Sequence, residues 1–350
     1  MAADPALTGT QFSSDVPLEL RGGDAEGDAP PGVGPYQLAR RRLRRNRVAL
    51  AFGVLFLIIV LICLLAPVYS HDVAHTGPND NHITDTISVG GKQTDVVSVG
   101  GIPIGPTWHS RFLLGSDQNG RDIAVRLLYG GRNSLFIGVV ATIITTLLGV
   151  GLGVLSGYFR GAVDGVISRV MDVIWAYPAL LLGVALGVVL AVGGLDLGLF
   201  KLQGNSLLVP AVIVGVVYIP YVARPIRGQV LGLREKEFID AARAQGLGHG
   251  RIMFGEVLPN LASTIIVLLP LMLANSVILE ASLSFLGAGV QAPNPSWGTM
   301  ISDGIRFIPG AIHTTLVPGF MLVFAVLAVN VFGDGVRDAL DPRSRIRIEH

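Results

Sequence analysis

Few side chains in this sequence are candidates for direct contact with a ligand. Two of these candidates are carboxylates that lie beside long apolar runs. Glu280 lies at the end of one run, and Asp303 lies in the segment that follows it. Ionisable residues at membrane depth are costly to place there and are therefore candidates for function. We predict a path across a membrane lined by Glu280, Asp303 and the intervening Trp297, in which the carboxylates attract an amino group. The alternative for Glu280 is structural, as a helix cap or as an acceptor within a helical turn.

The motifs of several enzyme classes are missing from the sequence. No G-x-x-x-x-G-K-[ST] loop occurs, since Gly91-Lys92 lacks the glycine upstream that such a loop needs. Neither H-E-x-x-H nor G-x-S-x-G occurs, so no hydrolase chemistry is visible. Cys63 is the only cysteine, which excludes an intrachain disulfide and a cysteine metal cluster. We expect no catalytic residue, no metal site and no cofactor bound by this chain.

The composition is that of a membrane protein. Hydrophobic residues make up 51% of the 350 residues and charged residues only 15%, whereas soluble domains carry about 25% charged residues. The net charge of +1 gives no sign of a nucleic-acid partner. Much of the surface must therefore face lipid, and the chain is predicted to be an all-α integral membrane protein.

Six apolar runs are long enough to cross a hydrocarbon core about 30 Å thick, which takes about 20 helical residues. The first could be a signal peptide, but it is too long and no small-residue cleavage pattern follows it. We interpret it as a retained helix. The six predicted spans are 48–69, 134–159, 173–195, 202–223, 258–279 and 312–333.

The orientation follows from where Lys and Arg lie, because cytoplasmic segments of membrane proteins carry an excess of both. If the N-terminus is inside, segments 1–47, 159–172, 224–257 and 334–350 are cytoplasmic and hold 19 of the 26 basic residues. The external segments hold the other 7. Both termini are therefore predicted to be cytoplasmic.

The remaining segments have distinct predicted roles. Residues 1–39 are expected to be a disordered cytoplasmic tail, 40–69 a basic flank with the first span, and 335–350 a second tail. In the external segment 70–133, Ser-Val-Gly-Gly occurs at Ser88 and again at Ser98, which favours a small β-hairpin. Residues 122–132 are amphipathic and suit a helix on the membrane surface, or else a solvated lead-in to the second span.

The most informative part of the predicted core, 134–334, is its cytoplasmic loop 224–257. Residues 235–245 contain strong helix formers, and Gly246 and Gly248 then break the helix, which we place at 235–247. Phe238, Ala241, Ala242 and Leu247 give this helix an apolar side, while Glu237, Asp240 and Arg243 are polar. Because so short a helix has no core of its own, we interpret it as a docking element for a soluble partner.

This loop resembles the EAA motif of ABC importer permeases in Asp240-Ala241-Ala242, three further residues and Gly246. Asp240 replaces the usual Glu, and Glu256 stands where an aliphatic residue is common. The resemblance implies a coupling helix that sits in a groove of a cytoplasmic ATPase. Its implied docking residues are Glu237, Asp240, Ala241, Ala242 and Gly246.

Further segments resemble the C-subunit family of dipeptide and oligopeptide permeases (the DppC/OppC type). They are LGSDQNGRD at 114–122, LYGGRNSL at 128–135, EASLSFLGAGVQ at 280–291 with PSWG at 295–298, and GDGVRDALDPR at 333–343. The resemblance implies the six-helix type I ABC importer permease fold and inward transport of short peptides in a bacterial plasma membrane. It also implies a homologous second permease subunit, one or more ATPase subunits that bind ATP-Mg, and an extracytoplasmic peptide-binding protein.

Other functions remain as alternatives. Importers of this class also carry nickel complexes, glutathione or haem. An ion-coupled secondary transporter would place paired carboxylates or broken polar helices at mid-membrane, whereas these spans are almost free of charge. A passive anchor or receptor subunit would have no need of the docking loop.

Overall fold

The computed structural model describes residues 35–196, 198 and 201–340. The predicted disorder of residues 1–34 and the predicted tail beyond Leu340 lie outside the described residues. Residues 35–39, which we expected to belong to the disordered tail, instead form the start of helix α1, Pro35–Arg45. Residues 335–340, which we assigned to the second tail, continue the last helix.

The first span follows α1 after a single residue. Helix α2 is Arg47–Leu64, and the side-chain oxygen of Asn46 caps it by accepting the Ala49 N–H at 3.0 Å. The short helix α3, Ala66–Val68, and a π-helical turn, Tyr69–Ala74, lead into the external segment.

The predicted hairpin is confirmed. Strand β1, Thr86–Val89, pairs antiparallel with β2, Lys92–Asp95, with Val89 opposite Lys92. The two-residue turn between them is Gly90-Gly91, and both residues have positive φ, +58° and +80°, which suits glycine in a hairpin turn. The second Ser-Val-Gly-Gly forms a turn instead, closed by the Gly101 N–H donating to the Ser98 carbonyl at 2.8 Å.

Of the two interpretations of residues 122–132, the structure fits a lead-in to the second span and not a separate helix on the membrane surface. Helix α4, Ile123–Phe159, runs without a break from this segment through the second predicted span. Ile123 and Leu127 are buried in the cluster that contains Trp297, and Arg126 is buried as well. The apolar side of the amphipathic pattern therefore packs on protein and not on lipid.

The third predicted span contains a sharp bend. Helices α5, Gly161–Trp175, and α6, Ala179–Gly193, meet at 87° across the segment that holds Pro178. Two short strands follow, β3 at Leu195–Asp196 paired with β4 at Lys201–Leu202. Within the described residues, five helical stretches are long and apolar enough to cross a membrane, and the bent pair counts as a sixth if it is one span.

The remaining helices complete the bundle and the cytoplasmic loop. In chain order they are α7 Leu208–Val217, α8 Ile219–Leu233, α9 Glu237–Ala244, α10 His249–Ile252, a π-helical turn Met253–Val257, α11 Leu258–Phe285, α12 Trp297–Gly304, a 3-10 turn Ile305–Phe307, α13 Ile308–Ala311 and α14 His313–Leu340. Helix α8 extends ten residues beyond the predicted end of the fourth span, so the cytoplasmic loop proper begins after Leu233.

The most extensive helix contact of the described residues joins α4 and α8 and includes three glycines spaced four residues apart. A β-carbon on Gly149 would lie 2.7 Å from the Val222 side chain, and one on Gly157 would lie 2.7 Å from the Val230 side chain. A β-carbon on Gly153 would lie 2.7 Å from the backbone oxygen of Ala223. Small residues at this spacing let membrane helices approach closely, so this stripe fixes the distance between α4 and α8.

We predict that Gly153→Val destabilises the chain by about 1–3 kcal/mol, because the added atoms meet backbone that cannot move aside. Gly151→Val is the matched control, since a β-carbon at Gly151 meets nothing within 4 Å. Thermal unfolding of the two purified variants in the same detergent measures the difference. Equal melting temperatures would contradict the role assigned to the glycine stripe.

Candidate functional site

Helix α9, the predicted docking helix, is anchored to the bundle by two buried side chains. Ile239 and Ala242, three residues apart and therefore on one face of the helix, belong to a buried cluster. Burial of one such isoleucine stabilises by about 1.5–3 kcal/mol. The cluster joins α9 to α4, α8 and α11 and also contains Val154, Tyr158, Val222, Ile226, Val230, Ile252, Val257, Leu261 and Met272.

The opposite face of α9 is exposed, and it differs from the predicted apolar side. Phe238 is 38% exposed and Ala241 is exposed, although both were assigned to the apolar side, while Leu247 is partly buried. Of the predicted docking residues, Glu237, Asp240, Ala241 and Gly246 are exposed, whereas Ala242 belongs to the buried base. The exposed face of α9 therefore presents the aromatic ring of Phe238 and the small side chain of Ala241, next to the carboxylates of Glu237 and Asp240.

The end of α9 is set by Gly246. Its φ is +78°, in the left-handed region that favours glycine. Its N–H donates to the Arg243 carbonyl at 2.9 Å, and the Leu247 N–H donates to the Ala242 carbonyl at 3.2 Å. The exposed pair Asp240–Arg243, at 3.0 Å, contributes little stability because water screens it.

Polar contacts tie the docking loop to the cytoplasmic end of α4. The Arg234 guanidinium donates to the Tyr158 carbonyl at 2.6 Å, and the Tyr158 hydroxyl lies 3.0 Å from Nδ1 of His249. Arg160 pairs with Glu235 at 2.6 Å. The segments that flank α9 on both sides are therefore in direct contact with this end of α4. Glu256, the second departure from the EAA pattern, is half-buried, and its backbone carbonyl accepts a bond from the Asn260 amide.

A second polar cluster braces the bend between α5 and α6 against α8. Arg224 pairs with Asp172 at 2.8 Å and lies 4.3 Å from the ring centre of Trp175, a cation–π distance. Trp175 in turn stacks on Tyr221 at 4.4 Å. Both nitrogens of the Arg227 fork lie 2.7 Å from the Asp164 carboxylate.

None of the predicted motifs includes this brace. One feature of the sequence does point to these ion pairs. Two acidic residues, Asp164 and Asp172, and two basic residues, Arg224 and Arg227, lie at the ends of neighbouring apolar runs.

Two of the three residues predicted to line a path lie inside the subunit. Glu280 is fully buried and accepts a 2.7 Å bond from the Ser284 hydroxyl one turn along α11. Trp297 is fully buried, and its indole N–H donates to the Leu127 carbonyl at 3.1 Å. In this structure neither side chain reaches a surface that cargo can touch, which fits the structural alternative for Glu280.

Asp303 lies in an ion cluster within the part of the chain that we predict to be external. Its carboxylate is 3.5 Å from Arg121 and 4.0 Å from Arg126, and Asp117 lies 2.6 Å from Arg121. Burial raises the pKa of Asp303, and the two guanidiniums oppose that rise. The Asp303 side chain remains 41% exposed, so it is the one predicted path residue open to solvent.

A cavity of about 910 Å³ lies between α2 and α4, within the size range of small-ligand sites. Its lining is largely apolar, with Phe56, Leu135 and Phe136 among its walls, and it also contains the Arg132 guanidinium. Within the described residues no carboxylate lies within ion-pair distance of Arg132. The cavity is therefore a better candidate for cargo contact than Glu280 or Trp297.

Comparison with known proteins identifies the architecture. The family model described as "Binding-protein-dependent transport system inner membrane component" matches residues 149–346, and the one described as "N-terminal TM domain of oligopeptide transport permease C" matches 34–84. The chain is 36% identical to the dipeptide transport system permease protein DppC of Alkalihalophilus pseudofirmus, over 91% of this chain and 96% of the relative.

Two further matches are similar in kind. The glutathione transport system permease protein GsiD of Pectobacterium atrosepticum is 32% identical, over 88% of this chain and 91% of the relative. A chain from the inward-facing MetNI methionine ABC transporter matches with a TM-score of 0.49 and 19% identity, over 62% of this chain and 96% of that one. The first family model covers more than half of this chain. The chain therefore belongs to the inner membrane components of binding-protein-dependent transport systems and has the type I ABC importer permease fold.

Proposed function

We propose that this chain is the membrane-spanning permease subunit of an ATP-driven importer that moves short peptides inward. The observation that carries the proposal is the docking helix α9, whose outer face is exposed while Ile239 and Ala242 anchor its inner face. Family membership and the relatives named for dipeptide and oligopeptide transport support the cargo. In this proposal ATP-Mg is bound and hydrolysed by partner subunits, and this chain supplies no catalytic group.

The proposed assembly has three further kinds of component. A homologous second permease completes the pore, one or more ATPase subunits dock on the cytoplasmic side, and an extracytoplasmic binding protein delivers the peptide. The chain lies in the bacterial plasma membrane with both termini in the cytoplasm. The distribution of Lys and Arg supports that orientation.

The proposed mechanism follows from how α9 is anchored. When two ATPase subunits close on ATP, they pull on the exposed Phe238 and Ala241 face. Because Ile239 and Ala242 are packed against α4 and α8, the helix cannot slide without carrying its buried base. The movement passes into the α4–α8 pair and opens the path outward, and ATP hydrolysis with release returns it inward.

We predict that Asp240→Lys combined with Gly246→Pro abolishes peptide-stimulated ATPase activity of the reconstituted complex, a loss of about tenfold or more. The lysine reverses a charge at the contact, and proline cannot adopt the φ of +78° at position 246. Asp95→Lys, an exposed charge reversal on strand β2, is the control and should leave stimulation unchanged. Membrane insertion and elution in gel filtration should be unaltered in both variants. Coupled hydrolysis that survives the double change would remove α9 from its proposed role.

We predict that a strain lacking this subunit loses uptake of labelled di- and tetrapeptides, and that the native chain restores it while the Asp240→Lys/Gly246→Pro variant does not. Uptake of labelled glutathione is measured in parallel, because one relative is named for glutathione transport. Loss of glutathione uptake alone would assign that cargo instead. Unchanged uptake of both peptides and glutathione would favour nickel or haem complexes.

A further inference from the structure

Helix α1 and the residue that starts α2 carry an unusual concentration of cations. Six arginines occur between positions 40 and 47. Five of them are exposed, namely Arg40, Arg41, Arg44, Arg45 and Arg47. No carboxylate of the described residues lies within 4.0 Å of any of these five. The docking and transport machinery described above does not use them.

The helical geometry puts four of these arginines on one side. At about 100° per residue, Arg40, Arg41, Arg44 and Arg45 fall within an arc of about 140°. Ala39 and Leu43 point away from the centre of that arc, by about 170° and about 130° respectively. Ala39 is buried, Leu43 is half-buried, and α1 packs against α14. One side of α1 therefore faces protein, and the arginine side faces outward.

The position of α1 is fixed relative to the membrane-spanning bundle. Asn46 alone separates it from α2, and the Asn46 N–H still donates to the Arg42 and Leu43 carbonyls at 3.2 and 3.1 Å. A β-carbon on Gly335 of α14 would lie 2.2 Å from that of Ala49, so α2 and α14 are in direct contact at this level. The arginines are thus held at the end of an apolar helix whose outer side exposes Val48, Leu50 and Val54.

From this arrangement we propose that the arginine face of α1 binds the phosphate headgroups of anionic phospholipids. A basic cluster next to a membrane span, on an amphipathic helix, has the charge and the location that such lipids recognise. The guanidinium fork also suits bidentate contact with a phosphate better than an ammonium does. The assignment of these lipids to the cytoplasmic leaflet rests on the orientation given under Proposed function.

One competing occupant is part of this chain. Residues 1–34 contain six carboxylates and one arginine, so this acidic segment has the charge to compete with lipid for the same face. The observations favour lipid, because the arginines adjoin exposed apolar residues of α2 that must themselves contact the bilayer.

The test is lipid binding to the purified full-length chain in detergent, measured by native mass spectrometry with dioctanoyl phosphatidylglycerol and dioctanoyl phosphatidylcholine. The native chain should bind phosphatidylglycerol about tenfold or more tightly. The R40Q/R41Q/R44Q/R45Q variant should reduce that preference to about twofold or less. The matched R40K/R41K/R44K/R45K variant keeps the charge and should keep most of the preference. All eight substitutions are at exposed positions with good helix formers, and gel filtration checks that each variant stays folded.

Two further variants in the same assay locate the binding site and identify its ligand. K236Q/R251Q removes two exposed cations from the cytoplasmic loop and should leave the lipid preference unchanged. Deletion of residues 2–34 should leave the preference unchanged or strengthen it. Because the assay uses the purified chain in detergent, its result depends neither on the proposed transport function nor on the proposed orientation in the membrane.

Several results would overturn the proposal. One such result is equal binding of the two lipids by the native chain. Another is an undiminished preference for phosphatidylglycerol in the R40Q/R41Q/R44Q/R45Q variant. A preference that appears only after deletion of residues 2–34 would assign the arginine face to the acidic segment. Displacement of phosphatidylglycerol by an equal concentration of inorganic phosphate would assign it to a soluble phosphate.

Discussion

The close packing of α4 on α8 determines how the rest of the chain can work. Gly149, Gly153 and Gly157 bring the two helices so near that a single added β-carbon would meet side chain or backbone. At the cytoplasmic end of this contact, Tyr158, Ile226 and Val230 form the base on which Ile239 and Ala242 of the docking helix rest. Because the interior is densely packed, we propose that a displacement of α9 moves the helix pair, so that the contact that stabilises the chain also carries the coupling.

The features that the sequence predicted well are those fixed by local chemistry. Gly90 and Gly91 determine the hairpin turn, and Gly246 determines where the docking helix ends. Apolar runs identify the spans because a lipid core demands about 20 such residues. The bend at Pro178 is also local, because proline removes a backbone donor and permits a kink. Its 87° angle is accompanied by contacts of Trp175 with Arg224 and Tyr221, which lie more than 40 residues further along the chain.

The features that were poorly predicted from the sequence depend on which segments, distant along the chain, pack against a residue. The apolar side of the amphipathic pattern at 122–132 suits contact either with lipid or with protein. The position of Trp297 in the structure shows that this side packs against protein. Glu280 was predicted to line a path because ionisable residues at membrane depth are candidates for function, and Trp297 was assigned to the same path. Burial among α4, α11 and α12 instead gives them internal hydrogen-bond partners. On α9, spacing alone did not distinguish the buried Ile239 from the exposed Phe238.

The central claim is that the outer face of α9 contacts an ATPase while its inner face is anchored to the bundle. Site-specific photo-cross-linking in the assembled complex tests this most directly, with a photoreactive residue placed at exposed Ala241 or, as a control, at Val192, which is 90% exposed near the end of α6. The account predicts a cross-link from position 241 to the ATPase subunit and none from position 192. The absence of an ATPase cross-link at 241, with membrane assembly intact, would contradict it.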